Sequence, residues 1–206
     1  MDDGFHVYEP AKGHGLKHDP IASIVAPRPI GWISTRSAEG RANLAPYSFF
    51  NIFNYTPPIV AFASVGWKDT VRNAQATGEF VVNLATRALA EQVNMTSASV
   101  PGDVDEFELA ALAAAPCRLV AAPRVAQSPV ALECRVTQVL QLADADGRQI
   151  DTWMVLGEVV VVHIAAALVR DGIYRTQDAC PILRAGGPAD YFEISPDRLF
   201  RMHRPK

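Results

Sequence analysis

Residues 42–65 read ANLAPYSFFNIFNYTPPIVAFASV. The first half, 42–53, reads as one extended run in which Pro46, unable to donate to a ladder, marks an edge or a bulge. The second half, 57–65, reads as a buried strand entered through a double proline. Toward the N-terminus, PIGWIST (29–35) is another short apolar strand, followed by a turn in AEGR (38–41) with Gly40 at its tip. Toward the C-terminus, EFVVNLA (79–85) is a further strand. Between 65 and 79, DTVRNAQATG predicts a short helix, with Asp69 as N-cap, Val71 and Ala74 facing the core, and Gly78 as the left-handed C-terminal residue.

RALAEQVNMT (87–96) predicts a second helix, and PGDVDEFELAALAAAP (101–116) a third that Pro116 cuts off. In LECRVTQVLQL (132–142), Leu132, Cys134, Val136, Leu140 and Leu142 fall on one face. Glu133, Arg135, Thr137 and Gln141 fall on the other. DADGR (144–148) is a tight turn, and TWMVLGEVVVVHI (152–164) returns as a long strand, so the two form a hairpin. Strands joined mostly by turns, with a few short helices inserted, predict an antiparallel barrel with α additions. The chain of 206 residues suits one domain spanning 1–206, with 1–26 as an irregular Gly- and Pro-punctuated arm.

Composition excludes several classes. A net charge of −3 argues against a basic nucleic-acid face or a polybasic membrane anchor. Cys117, Cys134 and Cys180 are dispersed and odd in number, which excludes a disulfide scaffold and any multi-cysteine zinc site of usual spacing. The N-terminal MDDGFHVYEPAKGHG lacks the apolar stretch of a secretory signal. VVVVHIAAALV, interrupted by His163, falls well short of the roughly 20 residues that span a bilayer. A soluble cytoplasmic protein is expected. There is no GxGxxG, no GxxxxGK[ST] and no GxSxG.

His14 and His18 have the i, i+4 spacing of helical metal ligands, but Gly13, Gly15 and Pro20 around them favour a solvated loop, and no metal site is assigned. His163 lies inside an apolar strand, where a core or edge histidine with a single backbone partner competes with an active-site role. Ser34, Thr35, Asn43, Ser48 and Ser64 punctuate apolar strands or their ends and offer donors to a flat, acceptor-rich ligand, although turn chemistry alone also produces such residues. Lys68, Thr70 and Arg72 then gather two cations and a hydroxyl at a helix start, where free amides and the dipole favour an anion. Asp69 suits the cap better than a phosphate contact. A capped helix with a solvated lysine is the competing reading.

Taken together, RPIGWIST, the Gly40 turn, NLAPYSFFN, the double-proline strand, KDT followed by Asn73, and EFVVNL resemble the flavin reductase-like family of FMN-binding split-barrel proteins, close to its flavoredoxin-like members. RAGGPADY (184–191) is similar to a degenerate form of the family's C-terminal segment, with Ala185 where leucine is usual. The resemblance implies a mainly β, Greek-key-like split barrel of about six strands with short peripheral helices, forming a homodimer with FMN at or near the interface. It implies flavin contacts from Ser34 and Thr35, and an isoalloxazine lined by Asn43, Ala45, Pro46, Ser48 and Phe49. Ser64, Lys68 and Thr70 would hold the phosphate, with Arg28, Trp32 and Tyr47 as neighbours.

The implied activity is NAD(P)H-dependent flavin reduction, with NADH or NADPH as donor and a partner oxygenase or another electron acceptor. His163, Arg184 and Tyr191 are the candidates near a nicotinamide or substrate. Two alternatives remain open: an FMN-carrying electron-transfer protein with no nicotinamide site, and a split-barrel protein holding pyridoxal phosphate or haem.

Overall fold

The computed structural model describes residues 4–205, so the first three residues of the expected arm lie outside it. GWISTR forms β1 (Gly31–Arg36), whose alternate side chains enter two different hydrophobic layers, and this double burial is why it reads as continuously apolar. Six more strands complete one antiparallel sheet: β2 (Ala42–Tyr47), β3 (Phe50–Tyr55), β4 (Pro58–Val65), β5 (Glu79–Leu84), β6 (Val130–Ala143) and β7 (Gln149–Ile164). Their spatial order is β2-β1-β5-β6-β7-β4-β3. A smaller sheet sets Arg28–Pro29 beside Ile182–Arg184, which also pairs with Tyr191–Glu193.

β2 and β3 are the opposite edges of the large sheet, yet only Ser48 and Phe49 separate them along the chain. In a flat seven-stranded sheet the edges would lie about 29 Å apart, at ~4.8 Å per neighbour. The link from Tyr47 to Phe50 reaches roughly 11 Å at full extension. The sheet therefore curls until its edges nearly meet, giving a barrel split between β2 and β3. The single run expected over 42–53 breaks at this seam, which accounts for a seventh strand. Pro46 does lie on an edge, where its missing N–H leaves no ladder bond unmade.

The hairpin of β6 and β7 closes through Asp144–Arg148, with Gly147 at φ +81°. Its pattern departs from simple alternation. Leu156 faces Gln138 and Gly157 faces Val136, so Thr137 is an extra residue, and the bulge reverses the parity beyond it. Val139 therefore packs against the barrel core, while Leu140 is exposed. Glu133, expected on the solvent face, is fully buried because the 116–123 loop covers that side of the sheet.

Three α-helices matter to the site. α1 (Asp69–Thr77) ends on Gly78 at φ +72°, as expected, and puts Val71 and Ala74 into the barrel core against several strands, closing one mouth. α2 (Ala90–Met95) follows a 3-10 turn at Arg87–Leu89. α3 (Glu106–Leu109) stops well before Pro116. The Leu112 amide donates to the Phe107 carbonyl at 2.8 Å and the Ala111 amide to Glu108 at 3.0 Å, with Ala111 left-handed at φ +51°. This is a Schellman closure with alanine where glycine is usual, so the sequence carries no stop signal there.

Three clusters result among the described residues. Ile33, Val60, Phe62, Phe80, Val82 and Val155 fill the barrel, Trp32, Leu44, Val93, Phe107 and Val125 form a second layer between β1 and the helices, and Val81, Ala131, Val120 and Ala122 form a smaller third with the 116–123 loop. Among the described residues, no helix is long and apolar enough to cross a membrane.

The barrel interior leaves no room at Gly157 on β7. A Cβ there would lie 2.4 Å from Cε1 of the Phe80 ring and 3.2 Å from the Arg135 carbonyl oxygen. Gly157→Ala should destabilise by about 1–3 kcal/mol in urea unfolding. Combining it with Phe80→Leu should cost less than the sum of the two single changes, whereas strict additivity would show that the ring is not the obstacle.

Candidate functional site

The sequence WKDT turns the chain from β4 into α1, and the helix start differs from the expected one. Lys68 occupies the N-cap position with extended backbone (φ −86°, ψ 169°) and makes no side-chain cap bond. Asp69 is the first helical residue, and its carboxylate pairs with Arg72 one turn along instead of capping. The amides of Asp69, Thr70 and Val71 thus have neither an intrahelical acceptor nor a side-chain cap. Lys68 is exposed, and its ammonium has no partner among the described residues. Lys68, Asp69 and Thr70 line a cleft of about 280 Å³ together with Asn43, Ala45, Pro46, Tyr47, Glu106 and the 96–100 loop.

Beneath the helix start lies a buried polar network centred on Asn43. Its Oδ1 accepts from the hydroxyls of Thr70 (2.8 Å) and Thr35 (3.1 Å). Its Nδ2 donates to Glu106 Oε1 at 3.0 Å. Glu106 Oε2 accepts from the Leu44 amide at 3.1 Å, and Asn73 Nδ2 donates to Thr35 Oγ1 at 3.2 Å. Burial pushes the Glu106 carboxyl above its ordinary range, although the Leu44 amide and Asn43 oppose the shift.

This network commits the hydroxyl hydrogens of Thr35 and Thr70 to protein acceptors. Ser64 likewise donates to the Gly66 carbonyl at 3.0 Å. The Tyr47 hydroxyl is different: it is buried beside Thr70 and Ser64 with no hydrogen-bond partner. Burial raises its pKa in spite of those neighbouring hydroxyls. The uncommitted donors at the cleft are therefore the Lys68 ammonium, the Asp69 and Thr70 amides and the Tyr47 phenol. That set suits a compact anion such as a phosphate group.

The other expected site residues are placed as follows. Trp32 is fully buried, with its indole N–H donating to Thr96 Oγ1 at 2.9 Å. Ser34 is fully buried, donating to the Pro123 carbonyl and accepting from Asn83. Arg28, Ser48 and Phe49 line a second cleft of about 460 Å³ next to Phe53 and Met154. There Arg28 donates to the carbonyls of Val25 (2.7 Å) and Ala22, and its guanidinium sits 5.8 Å from the Phe49 ring centroid. Arg28 thus holds the N-terminal arm against the seam.

None of the three candidates for a nicotinamide or substrate lines the Lys68 cleft, although Arg184 and Tyr191 are cross-strand partners. His163 stands with its Nε2 2.6 Å from Glu133 Oε1. Arg184 donates to the carbonyls of Asp190 (2.7 Å), Pro188 (2.9 Å) and Gly187 (3.0 Å) and lies 5.0 Å from the Tyr191 ring centroid. Tyr191 lines a third cleft of about 590 Å³ beside Arg87, Asn94 and Phe192.

Glu106 was not legible as a site residue. It follows Asp105, whose carboxylate caps α3 through the Phe107 amide at 2.8 Å, and nothing in DEFE distinguishes the capping acid from the buried one. Only the strand pairing that presents Asn43 and the Leu44 amide to α3 separates them.

The flavin reductase-like domain model matches residues 25–182. Component B of nitrilotriacetate monooxygenase from Bacillus cereus superposes with a TM-score of 0.81 at 28% identity, covering 91% of this chain and 98% of that one. The 2-nitrobenzoate 2-nitroreductase NbaA of Pseudomonas fluorescens superposes with a TM-score of 0.83, also at 28% identity, covering 98% and 96%. A flavin reductase with a split barrel domain from Shewanella frigidimarina superposes at 0.79 with 25% identity, covering 90% of both chains. With the domain match running from the arm through every strand of the split barrel, this chain belongs to the flavin reductase-like family.

Proposed function

We propose that this chain is a cytoplasmic, FMN-binding oxidoreductase that reduces flavin with NADH or NADPH, works as a homodimer and passes electrons to an oxygenase or another acceptor. The observation that carries FMN is the uncommitted donor set at the start of α1: Lys68, the free amides and the partnerless Tyr47 hydroxyl. Lys68 and the helix amides hold the phosphate. Thr70 and Ser64, whose protons point into the protein, support the cleft wall. Asn43, braced by Glu106, keeps the β2 backbone at Ala45 and Pro46 in position as a flat wall. Bound FMN would supply the hydride-accepting chemistry, and the protein's part is to orient it and exclude water.

The β3 edge supports the homodimer. Ile52, Phe53 and Tyr55 stand exposed on an edge strand with one unpaired side, with Phe49 and Trp67 also exposed, a liability that a second copy of the chain would remove. The oxygenase partner is suggested by the similarity to a monooxygenase component, and reduction of a small acceptor by the similarity to a nitroreductase.

One observation favours a second reading. His163, Arg184 and Tyr191 do not gather at the Lys68 cleft, as an FMN-carrying electron-transfer protein without its own nicotinamide site would allow. Adding NADH or NADPH to the FMN-loaded protein separates the two. Rapid bleaching of the oxidised flavin's visible band is expected, and a spectrum unchanged by both donors would establish the second reading instead. Lys68→Ala should weaken FMN binding by about 1.5–3 kcal/mol and leave riboflavin binding nearly unchanged. Equal losses for both ligands would assign Lys68 to folding rather than to the phosphate. In light scattering the protein should have the mass of two chains, and Tyr55→Lys should shift it toward one chain. A wild-type monomer would remove the homodimer from the proposal.

A further inference from the structure

Outside these clefts, three side chains with different metal-ligating atoms meet on the outer face of the sheet. The Cys117 sulfur, a Glu133 carboxylate oxygen and a His163 ring nitrogen all lie within 4.8 Å of one another. The pairing of β6 and β7 brings two of them together: Glu133 faces Val161, so His163, two residues on, is its diagonal neighbour on the same face. Cys117 comes from the loop that covers this face.

Glu133 is fully buried and held in a fixed plane. The Arg118 amide donates to Oε1 and the Leu119 amide to Oε2, both at 2.7 Å. Burial opposes its ionisation, but these amides and His163 outweigh that and hold the carboxyl below its ordinary range. Anchoring the loop does not by itself require the other two groups, since Glu79 pins the Ala121 amide at 2.7 Å through a single bond. His163 and Cys117 are both partly exposed, leaving one side of the cluster open to water. A nucleophilic thiol is disfavoured here, because burial and the Glu133 charge push Cys117 up to about 11.

We propose that Cys117, Glu133 and His163 form a three-ligand site for a borderline divalent cation, of which Zn²⁺ is the best fit, with the fourth position open to water. Sulfur and imidazole together select such a metal over Mg²⁺ or Ca²⁺. One thiolate and one carboxylate balance its charge. On binding, the Cys117 thiol proton passes to solvent, and the imidazole bonds the metal through Nε2 while carrying its proton on Nδ1. The Arg118 and Leu119 amides stay on the carboxylate as its orienting partners. Tetrahedral bonds of ~2.0–2.1 Å set the N···O separation at about 3.3 Å, so His163 needs to retreat less than ~1 Å from its present 2.6 Å contact. The site would staple β6, β7 and the 116–123 loop, independently of any flavin.

The test uses untagged full-length protein, stripped with a chelator and titrated with Co²⁺ and then Zn²⁺. One equivalent of Co²⁺ should produce a thiolate charge-transfer band in the near ultraviolet, Zn²⁺ should displace it, and Zn²⁺ should raise the melting temperature. Cys117→Ser should abolish the band, His163→Gln should weaken Zn²⁺ binding at least about tenfold, and Cys180→Ser should change neither. If Cys117→Ser does not fold, the partly exposed His163→Gln provides the comparison alone. Absence of the band, its persistence in Cys117→Ser, or undiminished Zn²⁺ affinity in His163→Gln would overturn the proposal.

Discussion

The two-residue passage from Tyr47 to Phe50 is the constraint on which the rest of the structure depends. It joins the opposite edges of a seven-stranded sheet, and a link that short is compatible only with a sheet curled nearly shut. Curling encloses Ile33, Phe62, Phe80 and Val155 and leaves a mouth that α1 covers with Val71 and Ala74. The same seam leaves β3 with one unpaired edge, where the exposed aromatic residues collect.

The position of α1 links packing to chemistry. Because its apolar face is drawn into the barrel mouth, its N-terminus is held beside β2, and Thr70 comes within bonding distance of Asn43. The buried network of Asn43, Thr35, Asn73 and Glu106 then has every hydroxyl proton committed. A satisfied network is stiff, and moving one member would leave others buried without partners. The donors left uncommitted at that place are those a bound anion would engage.

Several features were legible from local chemistry. Gly78 ends α1, Gly40 and Gly147 make their turns, and Pro46 sits on an edge, each because a single residue's backbone preference decides the matter. Asp69 shows the limit of such reasoning: its carboxylate had two nearby uses, and Arg72 took it from the cap. Thr137 shows another, since one bulged residue exchanged the buried roles of Leu140 and Val139. Glu133 and Glu106 look like ordinary surface acids in the sequence, and their burial depends on a covering loop and on a neighbouring strand.

The sequence by itself determined the β-rich class, most strand and helix positions, the ordered motifs of the flavin reductase-like family and a cationic helix start at Lys68, because each is set by residue type and short-range periodicity. Tertiary structure alone decided that the 42–53 run belongs to two opposite edges, that Thr70 spends its proton on Asn43, and that Cys117, Glu133 and His163 converge. Those outcomes rest on which distant strands and loops are neighbours, and a side chain's partner across a sheet leaves no mark in the spacing along its own strand.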